Sequence, residues 1–369
     1  MRWIFVYILG LSVVVSAALP CPDPQDHAPI KTEVIRRSGH DTYDKNREAE
    51  YYNCVDPCDE IMPSAGPRVC DGTNVYAVAN FLYWNVREEG NEFVIRGVQP
   101  AGGPPPEGRG FTKSPHFRSE PGFKVGFGYQ LPHDNWDLFL NYTWVKGKGS
   151  KTTTSSNMES VWIQPIIGTL DRAAADWHLV VNNFDLEMGR NFYTSPFFII
   201  RPFAGLKGGW HDEDSKVRYR CSTTPATQFI DRVQMNAFLW YFGFRAGMNT
   251  HWHFNKAWSL YGNSALSANW SKFLVTRFDN QNLTSAPFLR TTLLDTRRAY
   301  HTALPVLELG IGFQWETFFS DSDYHISLSL GWEEQIWWGH NAFVSQSQPQ
   351  SPHGDLVMHG LNFQIRFDL

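Results

Sequence analysis

The stretch Leu361-Asn362-Phe363-Gln364-Ile365-Arg366-Phe367-Asp368-Leu369 decides the fold of this chain. Apolar and polar residues alternate along it without exception, and the last residue is apolar. Strict alternation is typical of a β-strand with one apolar and one polar face. A half-buried edge strand of a soluble protein would show the same pattern. The position at the end of the chain also fits the closing strand of an outer-membrane β-barrel.

The first residues predict export from the cytoplasm. A short basic start, an apolar run over 3–15 and the small residues 16–18 predict a signal peptide over 1–18, cut near Ala17 or Ala18. Lipidation at Cys21 is the competing interpretation, but Pro20 stands where a lipoprotein signal has a small residue. No later stretch reaches the roughly 18 apolar residues of a membrane helix, so a membrane-bound form must cross as strands.

The composition favours the same class of protein. The mean hydropathy is −0.35, yet 15% of the residues are aromatic and 15 are Trp. Such values are typical of half-apolar strands that carry Trp and Tyr at the two membrane interfaces. The net charge of −5, without a basic stripe or a Gly-rich phosphate loop, argues against a nucleic-acid binder.

Ten strands are predicted from residue 74 onward. Their ranges are 74–86, 121–131, 136–145, 177–193, 197–210, 236–252, 258–270, 300–317, 324–338 and 354–369. The connections contain 34, 4, 31, 3, 25, 5, 29, 6 and 15 residues, so long and short strictly alternate. Short periplasmic turns and long external loops are typical of outer-membrane barrels and are not expected of a soluble sandwich. The predicted fold is therefore an all-β transmembrane antiparallel barrel over 74–369, with about ten strands, or twelve if residues 87–120 and 146–176 hide others, such as 161–163.

The two faces of the strands predict the surroundings of each side chain. In 300–317 the apolar residues lie opposite Glu308, Gln314 and Glu316, and other strands repeat this arrangement. A charge facing lipid would cost about 2–4 kcal/mol at the midplane, so the interior is predicted to be polar. The apolar positions of 177–193 change from odd to even, which predicts a β-bulge near Asn182-Asn183. Pro202 is a misfit within its strand because it lacks a ladder donor.

Tryptophans near the strand ends are predicted to form the interfacial girdles. They are Trp136, Trp144, Trp210, Trp252, Trp258, Trp270, Trp315 and Trp332.

Residues 19–73 are rich in proline and polar residues and are predicted to form a weakly structured periplasmic extension. The disulfide candidates are Cys21, Cys54, Cys58, Cys70 and, in a predicted external loop, Cys221. An odd number of cysteines leaves at least one thiol for an intermolecular bridge in an oxidising compartment. Cys54 and Cys58 could instead bind zinc, but no second ligand pair accompanies them, and we predict no metal.

Five motifs are spread over 74–369, and each lies in or next to a predicted strand. They are Phe81-Leu82-Tyr83-Trp84, Gly126-Phe127-Gly128-Tyr129 with Asp134-Asn135-Trp136-Asp137-Leu138, Asp185-Leu186-Glu187-Met188-Gly189-Arg190, Arg201-Pro202-Phe203-Ala204-Gly205-Leu206 and Leu307-Glu308-Leu309-Gly310. Together they resemble the major outer membrane protein-like porins of Legionella and of chlamydia-related bacteria. The resemblance implies a pore-forming barrel, with cysteine cross-links in the envelopes of some relatives.

A C-terminal signal for the barrel assembly machinery is expected at Phe363, Ile365, Phe367 and Leu369. The chain departs from the usual pattern because Leu369 stands where that signal usually has Phe. The expected location is the outer membrane, and the expected partners are its lipid, the assembly machinery, small hydrophilic solutes, further copies of the chain and disulfide-linked envelope proteins.

Two non-catalytic functions fit these features. The first is a porin for passive diffusion of small hydrophilic solutes and ions, with mixed lining charges and weak ionic preference. Its predicted lining residues are Lys124, Asp137, Asp185, Glu187, Arg201, Lys207, Arg245, Glu308, Glu316, Glu333 and Arg366. The alternative is a structural or adhesive surface barrel filled by salt bridges, because about 8 strands leave room only for side chains whereas 16 or more give a channel.

An outer-membrane enzyme is the third hypothesis. Such an enzyme needs a nucleophile or paired carboxylates beside a histidine. The chain contains His251, His253, His325 and His359, but no serine elbow or carboxylate pair converges with them in the predicted register. We therefore predict a porin, with the filled barrel as the alternative, and neither catalytic residues nor a cofactor.

Overall fold

The computed structural model describes ten parts of the chain: residues 66–67, 69, 73–97, 110–131, 136–163, 169–224, 227–284, 288–319, 324–344 and 354–369. The signal peptide, most of the extension and four cysteines (Cys21, Cys54, Cys58 and Cys70) lie outside these ranges, so the predictions made for them stay predictions. No helix in the described ranges is long and apolar enough to cross a membrane.

Fourteen strands are present in the described parts of the chain. They are β1 (Val75–Glu88), β2 (Val94–Arg96), β3 (Phe111–Lys113), β4 (His116–Gln130), β5 (Asp137–Thr154), β6 (Met158–Ser160), β7 (Thr169–Gly189), β8 (Phe192–Ser195), β9 (Phe198–Thr224), β10 (Thr227–His253), β11 (Trp258–Leu283), β12 (Arg290–Phe319), β13 (Tyr324–Trp337) and β14 (Leu356–Asp368).

Ten of these strands form a closed antiparallel barrel in the order β1-β4-β5-β7-β9-β10-β11-β12-β13-β14. The ring closes where β14 pairs with β1, with Phe363 opposite Phe81. The amide of Leu369 donates to the carbonyl of Val75 at 2.9 Å. The C-terminal stretch therefore is the closing strand that its alternation predicts.

The ten predicted strands correspond to the ten strands of the ring, but the predicted long loops are wrong at several connections. Strands β9 and β10 continue as a paired hairpin to Thr224 and Thr227, where a 25-residue loop was predicted. Beyond Trp210 the outward positions become charged, beginning with Asp212, so this part of the sequence resembles a loop. Cys221 accordingly lies in β9, where it is a buried free thiol.

The regions proposed to hide further barrel strands contain strands of a different kind. Strands β2, β3 and β6 pair with one another in a separate three-stranded sheet. Residues 161–163 form bends. In the described parts of the chain the ring therefore has ten members, and β8 is a short addition beside β9.

The predicted bulge at Asn182-Asn183 is wrong. Both residues stay in register with β5 and β9 on either side, and the register shift in β7 lies between Leu170 and Arg172. What changes along β7 is the environment of one continuous inner face. Towards Arg172 this face carries apolar residues such as Trp177, whereas towards Gly189 it carries Asp185 and apolar residues move to the outer face.

An apolar band surrounds the outside of the barrel. Its exposed residues come from most strands of the ring and include Phe127, Leu140, Phe244, Ile311 and Leu361. The tryptophans predicted for the girdles are partly or well exposed, as Trp252 and Trp270 illustrate, and their place at the membrane interfaces stays a prediction. Pro202 is accommodated within β9 opposite Met248. A band of this kind needs hydrocarbon around it.

One close approach inside the barrel predicts a sensitive glycine. Tyr261 lies against Gly312 and Gly331, and a Cβ at Gly331 would collide with the Tyr261 hydroxyl and the carbonyl oxygen of Ile311. We expect Gly331→Ala to lower the free energy of unfolding by about 1–3 kcal/mol, because overpacking must displace backbone or ring. Urea titration in lipid vesicles, followed by Trp fluorescence, measures this change.

The matched control is Gly310→Ala, also on the inner face, where the added Cβ meets nothing closer than 3.6 Å. Its free energy of unfolding should stay within about 1 kcal/mol of the wild type. Equal losses in both variants would contradict the packing described for Tyr261.

Candidate functional site in the barrel lumen

A polar cavity of about 610 Å³ enters the barrel from the end with the short turns, called here the turn end. Turn residues such as Pro196 and Asn255 stand at its mouth, and Arg366 and Glu316 lie along its wall. The Gln314 side-chain amide donates to Glu316 Oε2 at 2.7 Å. The cavity reaches the charged groups in the middle of the barrel, among them Arg245.

A cluster of charged side chains, called here the ionic belt, crosses the lumen and forms part of the cavity wall. Its members are Asp137, Asp185, Glu187, Arg201, Lys207, Arg245 and Glu308. Lys207 Nζ lies 2.8 Å from Asp185 Oδ1 and 2.9 Å from Glu308 Oε1, and its side chain is 0% exposed. Lys207 belongs to β9 and Glu308 to β12, with β10 and β11 between them. This contact therefore spans the barrel rather than joining neighbouring strands.

The two arginines of the ionic belt bind more than one carboxylate each. Arg201 donates to Asp137, with Nε 2.8 Å from Oδ2, and lies 3.2 Å from Glu187 Oε2. Arg245 donates to Glu308 through Nη2 at 2.9 Å and through Nε at 3.1 Å, and also contacts Glu187. A buried charge is tolerated when it is paired and hydrogen-bonded in this way.

The other predicted lining residues also lie on the inner face and have partners. Lys124 of β4 binds Glu333 of β13 across the two strands between them. Arg366 Nε donates to Asp368 Oδ2 at 3.0 Å. All eleven predicted lining residues thus face the lumen; that they line a conducting path stays a prediction.

Beyond the ionic belt the lumen is filled by apolar side chains, which we call the plug. It consists of Trp84, Trp177, Tyr241 and Trp337 from the wall with Phe93, Trp162 and Phe343 from the connecting segments, all 2% exposed or less. The rings of Tyr241 and Trp337 pack at 5.1 Å between centroids, although β11 and β12 separate their strands. The prediction of a uniformly polar interior is therefore wrong in this half of the barrel.

The ionic belt and the plug are in direct contact. Lys207 Nζ lies 5.6 Å from the centre of the Trp337 ring, within the distance at which a cation and an aromatic face attract each other. The cavity from the turn end thus meets first a bonded layer of charges and then a layer of aromatic rings.

Four polar residues are buried within the plug, beyond the outer apolar band. They are Glu88, His211, Glu213 and His340, each 4% exposed or less. Burial raises the pKa of the Glu88 carboxyl and lowers the pKa of the His340 imidazole, because both charged forms lose contact with water. His340 Nδ1 lies 2.7 Å from Glu88 Oε1.

Sequence reasoning identified the charged lining but missed the plug and its polar residues. A signal was present in β7, where Trp177, Leu179 and Val181 share a face with Asp185 and Glu187. From the sequence alone, the change of the apolar positions from odd to even predicts a bulge, because the pattern does not show that the inner face of β7 is apolar at one end. The participation of His211 and His340 depends on contacts between distant strands, which the strand pattern does not reveal.

A closed antiparallel barrel with an apolar outer band and charges inside defines an outer-membrane β-barrel protein. Residues 69–369 match the family described as the Legionella pneumophila major outer membrane protein precursor. The chain belongs to this family, and its place is the lipid of the outer membrane. No curated protein matches the chain.

Several solved structures resemble the fold weakly. The outer membrane protease OmpT from Escherichia coli is 10% identical, with a TM-score of 0.39 over 82% of this chain and 99% of that chain. The Pseudomonas putida toluene transporter TodX is 9% identical, with a TM-score of 0.24 over 80% and 89%. LpxR from Salmonella typhimurium is 8% identical, with a TM-score of 0.19 over 80% and 100%. Likeness at this level carries no argument about function.

The ionic belt predicts a large cost for removing its central lysine. Lys207→Met leaves Asp185 and Glu308 buried with less compensation, so the free energy of unfolding should fall by about 3–5 kcal/mol. Lys216→Met is the matched control on the same strand, since Lys216 also binds an aspartate, at 2.9 Å, but is 50% exposed. It should change stability by less than about 1 kcal/mol. Equal, small effects in urea titrations would contradict a buried belt.

Proposed function

We propose that this protein is a sealed structural barrel, which holds extended hairpins such as β9–β10 at the cell surface and contributes to the integrity of the envelope. The observation that carries the proposal is the double closure of the lumen by the ionic belt and the plug. Four plug residues, Trp84, Trp177, Tyr241 and Trp337, come from ladder strands of the ring itself. Opening the lumen would have to displace wall side chains and not only a loop.

Packed side chains replace water in the plug and the ionic belt, and their contacts favour the closed lumen. Tightly packed aromatic rings bury apolar surface, which is worth about 25 cal/mol per Å². The charges below them have partners, so opening a water column would separate Lys207 from Glu308 and expose the rings of the plug. Filling of this kind is expected when few strands enclose a narrow bore.

The extended hairpins support a role at the surface. Strands β9 and β10 stay paired for many residues beyond Trp210, and their outward residues there include Lys216, Arg218 and Arg220, all exposed. Arg218 binds Asp176 of β7 at 2.8 Å, so the strands are linked on the outside as well. Paired strands with a charged outer surface, as in this hairpin, are consistent with a barrel that presents this end to the exterior.

A porin for small hydrophilic solutes and ions is the second candidate function. The observation that favours it is the 610 Å³ cavity, which brings water-accessible space to charged groups of both signs such as Glu187 and Arg245. Diffusion through the barrel would then require the plug to leave the lumen.

Conductance in planar bilayers separates the two functions. The wild-type protein, shown to be folded by heat-modifiable migration, should remain silent under voltage. The variant Trp84→Ala/Trp177→Ala/Trp337→Ala/Lys207→Ala/Glu308→Ala should give discrete small ionic steps, because it empties most of the plug and also removes the central ion pair of the ionic belt. The control Trp210→Ala/Trp240→Ala removes tryptophans that are each 40% exposed on the outer face, and it should remain silent. Regular steps from the wild type would overturn the sealed barrel and support the porin.

A further inference from the structure

Three acceptor groups converge inside the plug. Oxygen atoms of Glu88 and Glu213 and a ring nitrogen of His340 all lie within 4.8 Å of one another. They come from the end of β1, the middle of β9 and the segment after β13. All three side chains are buried, with exposures of 2%, 4% and 2%. Two carboxylates in such a place need a cation or shared protons between them.

Hydrogen bonding fixes which nitrogen of His340 carries the proton. Asn183 Oδ1 can only accept, so His211 Nε2, 3.1 Å away, carries a proton and donates to it. In a neutral ring His211 Nδ1 is then bare, and it accepts from His340 Nε2 at 2.9 Å. His340 Nδ1 is consequently bare as well, and its lone pair points at Glu88 Oε1, so a cation or a proton on Glu88 must lie between the two atoms.

Each carboxylate is held from behind by a separate donor. Asn91 Nδ2 donates to Glu88 Oε2 at 2.7 Å, and Trp177 Nε1 donates to Glu213 Oε1 at 2.6 Å. Outer partners that orient a carboxylate and the far side of an imidazole are typical of metal centres. Here His211 is the outer partner that orients the imidazole of His340.

We propose that Glu88, Glu213 and His340 bind a divalent first-row transition metal ion, with Zn²⁺ a good match to two carboxylates and one imidazole. Zinc accepts this donor set and is often bound by three protein ligands. The ion compensates the two buried negative charges and takes the place between the bare His340 nitrogen and Glu88. It also ties the segment after β13 to the wall at β1 and β9. This inference rests on the plug being in place, as the sealed barrel does, but metal retention and conductance are separate measurements.

Metal analysis of the purified full chain tests the proposal. After incubation with zinc and passage through a chelator-treated column, the folded wild type should retain about one zinc per chain by mass spectrometry, and zinc should raise its thermal midpoint. Glu213→Gln and His340→Asn should lose the bound zinc, whereas His178→Asn, an exposed histidine on β7, should retain it. His211→Asn should weaken binding about 10–100-fold, because it orients His340.

Two further results decide the case independently of whether variants fold. Wild-type protein loaded with Co²⁺ should show the visible absorption of a low-symmetry cobalt site, and zinc should displace it. A folded wild type that retains no zinc after the column, or that shows no such absorption with Co²⁺, would overturn the proposal. The three groups would then share protons instead of a metal.

Discussion

A ring of ten strands encloses a bore that side chains can fill, and this constraint governs the rest of the structure. Away from the cavity at the turn end, an inward side chain must find partners among the other inward side chains, because little water is available to it. Lys207 and Glu308 form an ion pair across the lumen, and the rings of Tyr241 and Trp337 pack against each other. Within the membrane the outer face contacts only lipid, so its residues are apolar and need no specific partners.

The difference between the two faces explains what the sequence could predict. The closing strand at Leu361–Leu369, the ring of ten strands and the inward charges follow from local alternation, which needs no knowledge of distant partners. The apolar inner face of β7 at Trp177 could not be interpreted locally, because the pattern shows a change of face but not which neighbours lie across the lumen. The extended hairpin around Cys221 was missed because its outer face is charged beyond the membrane.

The closure of the lumen and the buried cluster of Glu88, Glu213 and His340 depend on each other. The plug excludes water from Glu88 and His340, and this exclusion makes a cation or shared protons necessary there. Conversely, the polar contacts tie the segment that carries Phe343 to the barrel wall.

The central claim is that charges pair with each other across the lumen instead of facing water. A double-mutant cycle between Lys207→Met and Glu308→Gln, measured by urea unfolding in lipid vesicles, tests it most directly. The account predicts a coupling energy of about 1.5–3 kcal/mol, as for buried charge pairs in contact. A coupling energy below about 0.5 kcal/mol would show that water separates the two groups, and it would contradict the sealed barrel.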